Sequence, residues 1–136
     1  MRYILDTNII SKREAFQRAR NWIHGHQDQI ALSAFTVAEM VQGIEMLPAG
    51  SKRTGLASVL NEMLDEYPVL PFGLREAQAW GAYAAGQVAK GRKIAVLDSL
   101  IAATAMAHGL WVVTENARDF PDVDQINPMI EKRADN

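Results

Sequence analysis

Four carboxylates stand at the edges of apolar segments: Asp6, Glu39, Asp98 and Asp119. Asp6 closes the run Tyr3-Ile4-Leu5 and precedes two small polar residues, Thr7 and Asn8. Asp98 sits in Val96-Leu97-Asp98-Ser99-Leu100-Ile101-Ala102-Ala103, surroundings in which an acid is costly unless it is paired or bound to a cation. Asp119 follows Val112-Val113-Thr114 after a short loop carrying two more oxygen donors, Glu115 and Asn116. Each acid also has an ordinary role open to it. Asp6 suits an Asx-turn or a helix cap. Glu39 can complete a capping box with Thr36. Asp98 suits the positive end of a helix, and Asp119 suits a turn before Pro121, paired with Arg118 or Arg2. The four together make the stronger case. In a parallel sheet the loops after successive strands gather at one end, where four carboxylates would repel one another. A divalent cation relieves that repulsion, and an all-oxygen donor set selects a hard ion, Mg²⁺ or Mn²⁺. Such an ion activates water and stabilises charge on phosphate, the chemistry of phosphodiester hydrolysis.

The elements that must position these acids are legible as alternating apolar runs. Short strands are expected at Arg2 to Leu5, Gln29 to Leu32, Val69 to Pro71, Trp111 to Val113 and Gln125 to Ile126. Helices are expected at Ser11 to His24, Phe35 to Leu47, around Leu56 to Leu64, at Leu74 to Gly91 and at Val96 to His108, each with apolar residues every three or four positions. Val37, Met40, Val41 and Ile44 should face inward on the second helix. Ala77, Gly81, Ala84 and Val88 form a small-residue stripe suited to close packing on the fourth. Gly109 can end the last helix in the left-handed conformation. The tail from Glu131 to Asn136 is charged and expected to fray. Strands that are continuously apolar and alternate with helices mean a parallel sheet buried between helices, an α/β fold.

The chain has 136 residues, 49% hydrophobic and 22% charged, with a net charge of −2. That length suits one domain over residues 1–136. The charge argues against a basic coat that binds nucleic acid non-specifically. With no cysteine, disulfides, thiolate metal sites and thiol nucleophiles are excluded. No signal-peptide core or membrane span is visible, so a cytoplasmic location without membrane attachment is expected. Lys12 and Arg13, just beyond Asp6, are the best candidates for contacting a substrate phosphate. Lys52, Arg53, Lys90, Arg92 and Lys93 read as solvated faces. The three histidines have no ligand spacing to the acids.

Four blocks resemble the PIN-domain nucleases, and among them the VapC-type toxins of bacterial type II toxin–antitoxin pairs. They are Leu5-Asp6-Thr7-Asn8, Ser33-Ala34-Phe35-Thr36-Val37-Ala38-Glu39 with Gly43 and Glu45, Asp98-Ser99-Leu100-Ile101-Ala102-Ala103-Thr104-Ala105 with His108-Gly109, and Val113-Thr114-Glu115-Asn116-Ala117-Arg118-Asp119-Phe120. The resemblance implies a three-layer α/β/α sandwich with a short central parallel sheet. It implies an Mg²⁺- or Mn²⁺-dependent endoribonuclease, usually a homodimer, neutralised by a small VapB-like antitoxin in a hetero-oligomer that meets DNA only through the antitoxin. Asp6, Glu39, Asp98 and Asp119 correspond to the family's acidic quartet, with Asp6, Asp98 and Asp119 as metal ligands and Glu39 as the residue that positions or deprotonates water. Thr7 and Asn116 match supporting positions. Two departures stand out: Glu115 occupies a position commonly basic in the family, and Ile94-Ala95-Val96-Leu97 lacks the proline often found near Asp98. A phosphatase using Asp6 as nucleophile is disfavoured because position 8 is Asn rather than Asp. The alternative function is a PIN-fold partner of an antitoxin–DNA regulatory complex with little or no nuclease activity.

Overall fold

The structure, a computed structural model, describes residues 1–129; the charged tail lies outside the described residues. Strands β1 (Tyr3–Leu5), β2 (Ile30–Ser33), β3 (Val69–Leu70), β4 (Trp111–Val113) and β5 (Gln125–Ile126) form one parallel sheet in the order β3-β2-β1-β4-β5. The order reverses between β1 and β4. A crevice opens at the carboxyl ends of the strands at such a switch point, and ligands bind there in open α/β sheets.

Among the described residues six α-helices cover the sheet: α1 (Thr7–Ser11), α2 (Arg13–Gly25), α3 (Ala34–Met46), α4 (Ser51–Glu66), α5 (Leu74–Ala89) and α6 (Val96–His108). Alternation along β1 sorts the two cores. Tyr3 and Leu5 point to one face and pack with residues of α1 to α4, such as Ile9, Ala19, Met40 and Leu60. Ile4 points to the other and packs with Tyr83 of α5 and Ile101, Ala102 and Ala105 of α6. This is the expected α/β/α sandwich. No helix among the described residues is long and apolar enough to cross a membrane.

Three expectations need correction. The first helix does not run unbroken from Ser11. Asp6 starts a helix directly after β1, and the backbone at Lys12 (φ −97°, ψ 117°) separates that turn from α2. On α3 the buried residues are Thr36, Met40 and Ile44, while Val41 is 43% exposed. On α5 the small-residue stripe faces outward, with Val88 74% exposed, and the buried face is Glu76, Tyr83 and Gln87.

Those polar residues can be buried because each has a partner. The Tyr83 hydroxyl donates to Pro121 O at 2.7 Å, and the Gln87 amide donates to Asp122 at 3.0 Å. Asp122 also binds Lys90 and Arg92, and the hydrogen bonds from Lys90 and Gln87 hold its carboxyl down at about 2. Glu76 accepts from the Gly73 N–H at 2.7 Å and lies 2.8 Å from His108 Nε2, tying the start of α5 to the end of α6. The Gly73 N–H, more than His108, lowers the Glu76 pKa below 4.5. A carboxyl depressed on folding adds stability above its unfolded value and loses it as pH falls through the folded one. Glu76→Gln should therefore flatten the decline in stability below pH 4.5, measured by urea denaturation across that range. An unchanged acid limb would remove Glu76 from the pH response.

Candidate active site

Each acid reaches the sheet edge by a different local device. Asp6 caps α1: its Oδ1 accepts from the Asn8 N–H at 3.4 Å, and its Oδ2 accepts from the Thr114 hydroxyl at 2.9 Å. Thr114 follows β4 as Asp6 follows β1, so neighbouring strands of the switch point hold one carboxylate between them. Asp6 is only 1% exposed. Burial raises its pKa, the two hydrogen bonds oppose that, and the charges of Asp119 and Glu39 raise it further.

Glu39 does not cap its own helix. Ser33 is the cap of α3, its hydroxyl accepting from the Phe35 N–H at 3.0 Å. With the cap supplied two turns upstream, Glu39 is free to face the start of α1, where Thr7 Oγ1 lies 2.8 Å from Glu39 Oε1 and 2.9 Å from Thr36 Oγ1. Thr7 has one hydroxyl proton and a carboxylate only accepts. Thr7 therefore donates to Glu39, and Thr36 donates to Thr7. Thr36 is wholly buried, which makes this short chain a fixed one.

Asp98 lies in the first turn of α6. Ser99 steadies that turn: its hydroxyl donates to Val96 O at 2.6 Å and accepts from the Trp80 indole N–H at 2.9 Å. Burial, followed by the charges of Asp6, Asp119 and Glu39, pushes the Asp98 carboxyl up to about 6. Asp119 ends a turn of 3₁₀ helix, Ala117–Asp119, after β4. The structure therefore brings all four acids within electrostatic reach of one another.

None of the four pairs with a Lys, Arg or His side chain among the described residues. Arg2 and Arg118 thus do not neutralise Asp119. A carboxylate set with one member buried, three half-buried and none paired with a cationic side chain fits a cation. Among the described residues no three acid or imidazole side chains already stand in a metal-holding arrangement, a spread that mutual repulsion of like charges favours.

Other candidates fall out differently. Glu115 does not join the acids; it accepts two-pronged hydrogen bonds from Arg18 at 3.0 to 3.2 Å. Asn116 supports the site through its backbone, its N–H donating to Thr114 Oγ1 at 2.9 Å. Lys12 lines a cleft together with Asn8 and Asn116, whereas Arg13 does not. Arg53 pairs with Glu45, as Lys90 and Arg92 pair with Asp122. Sequence reading missed Thr36, Thr114 and Arg18 as site residues. The two threonines carry a faint signal, a hydroxyl at an element edge; Arg18 carries none.

A family model for the PIN domain matches residues 3–126. The chain belongs to the PIN domain family. Among its relatives is the VapC ribonuclease Y4jK of Sinorhizobium fredii, 37% identical over 92% of this chain and 96% of that protein. Toxin FitB of Neisseria gonorrhoeae is 33% identical, covering 92% of this chain and 96% of that one. The solved structure of FitAB bound to an IR36 DNA fragment matches with a TM-score of 0.81 at 32% identity, over 93% of this chain and 95% of that one. These matches span nearly the full length of both partners of each comparison.

Proposed function

We propose that this PIN domain is an endoribonuclease toxin that hydrolyses RNA phosphodiester bonds and is silenced by a cognate antitoxin. The observation that carries the reading is the set of four mutually interacting carboxylates without a cationic partner at the sheet's switch point. Its similarity to a VapC ribonuclease and to toxin FitB supports the activity and the role. Asp6, Asp98 and Asp119 would hold Mg²⁺ or Mn²⁺. When bound, the ion would lower the pKa of water and offset charge at the phosphate.

The chain's own groups supply the rest. Thr114 and the Asn8 N–H hold Asp6 at the strand end. Glu39, oriented by Thr7, accepts the proton of the attacking water. The water oxygen bonds to phosphorus in line, the P–O3′ bond breaks, and the departing oxygen takes a proton from solvent. The products are a 5′-phosphate and a 3′-hydroxyl. End-group analysis of cleaved RNA tests this. Activity lost in EDTA and restored by Mg²⁺ or Mn²⁺, with those ends, is expected. A 2′,3′-cyclic phosphate would overturn the mechanism, because that product requires the ribose 2′-hydroxyl as nucleophile.

A second reading, a partner in a DNA-bound regulatory complex, draws on the DNA-bound FitAB assembly. The two are compatible if the antitoxin both occludes the site and contacts DNA. In that arrangement the protein works in the cytoplasm, as a homodimer within a larger hetero-oligomer.

A further inference from the structure

A cleft of about 210 Å³ is lined by residues that flank two of the acids in the chain, Asn8 two positions after Asp6 and Asn116 three before Asp119. It is smaller than the roughly 300–1,000 Å³ of a site that encloses a whole small ligand, and suits a short stretch of a strand passing through. Two of its walls are tied to Asp6. The Asn8 N–H bonds Asp6 directly, and the Asn116 N–H bonds Thr114, whose hydroxyl donates to Asp6. Ile9 and Ala15 give it an apolar floor, and Lys12 and Arg18 give it two cations. Lys12 has no ion pair among the described residues. The Arg18 guanidinium is taken up by Glu115, another lining residue.

We infer that this cleft is the RNA subsite flanking the scissile phosphate, and that the Arg18–Glu115 pair attenuates RNA binding by competing with a backbone phosphate for Arg18. The inference rests on the endoribonuclease reading. A guanidinium binds phosphate through the same two-pronged geometry with which it binds carboxylate. The Arg18 side chain is 49% exposed, and ion pairs at such positions hold their partners only weakly. A phosphate delivered next to Lys12 can therefore displace Glu115 cheaply. With the pair closed, the cleft presents one net positive charge; with Glu115 displaced, Arg18 and Lys12 face the strand together.

The test is fluorescence anisotropy of a labelled single-stranded RNA with the full chain in EDTA, across a salt series. Glu115→Gln should tighten binding about 3- to 5-fold, the scale of breaking an exposed ion pair. Its log K against log salt should steepen by about 0.7, one added phosphate contact on a single strand. Arg18→Gln should weaken binding and flatten the slope. Arg18→Gln/Glu115→Gln should match Arg18→Gln alone, because Glu115 acts only through Arg18. Equal tightening by Glu115→Gln with or without Arg18 would show a bulk charge effect and overturn the inference. Wild-type cleavage and binding with no response to either substitution would overturn it and leave the endoribonuclease reading standing. No RNA binding or cleavage by the wild type in Mg²⁺ would overturn both.

Discussion

Asp98→Asn is expected to lower RNA cleavage by more than about 100-fold while making the cation-free protein more stable. Losing groups that merely support metal ligands costs 10- to 100-fold, and a direct ligand should exceed that. The stability gain follows from the raised pKa of Asp98, about 6 against an ordinary 3.8. A carboxyl whose pKa rises on folding is a liability wherever it is ionised: the native state binds the proton more tightly than the unfolded chain does. Stability from this group should therefore increase as pH falls from 7 through about 6. Two pKa units correspond to roughly 3 kcal/mol; solvent screening at this half-buried position reduces that to about 1 kcal/mol. Thermal melts in EDTA at pH 5 and pH 7 measure it. The wild type should gain on acidification more than Asp98→Asn does. Adding Mn²⁺ at pH 7 should raise the wild-type melting temperature and leave the variant unmoved. A variant less stable than wild type in EDTA would mean that the carboxylate holds the α6 terminus rather than an ion.

Thr7→Val should cost about 10- to 100-fold in cleavage, the range for a group that orients a reacting side chain. It should also cost stability, about 1–3 kcal/mol, because the buried Thr36 hydroxyl loses the oxygen that accepts its proton. The two effects separate in Thr7→Val/Thr36→Val. Removing both hydroxyls leaves no unpaired buried donor, so the double variant should regain much of the stability and none of the activity. Urea denaturation with single-turnover cleavage resolves the pair. A fully active Thr7→Val would detach Glu39 from the role of proton acceptor. Restored activity in the double variant would assign Thr7 a purely structural part.

The alternation of apolar strands with helices was enough to predict the parallel sheet, because a strand buried on both faces must be apolar throughout. Gly109 was readable as the end of α6, and it sits at φ 65° in the left-handed region. Periodicity was a poorer guide to which helix face is buried. On α5 it favoured Ala77, Gly81, Ala84 and Val88, yet Glu76 and Gln87 go inside because Gly73, His108 and Asp122 satisfy them. Gly73 is local, the residue just before α5, but His108 and Asp122 lie about 30 residues or more away on other segments, where no local pattern can announce them. The break at Lys12 was hidden for a related reason: Asp6 was recognised as a possible cap, but a cap starting a helix of five residues leaves no periodic signal.

The sequence by itself determined that thiolate chemistry is excluded, since the chain has no cysteine, and its four acids at element edges are what point to the hard cation proposed above. It did not determine which donors are tied to the site and which are drawn away from it. Glu39 could have capped its own helix; Ser33 takes that role, and the parallel pairing of β1 with β2 lets Glu39 face Thr7. Glu115 could have joined the acids; Arg18, 97 residues away in the chain, holds it instead. Both outcomes depend on hydrogen bonds between residues far apart in sequence. A linear pattern records propensities for capping and burial, whereas the choice between competing partners is made by the distances that packing imposes.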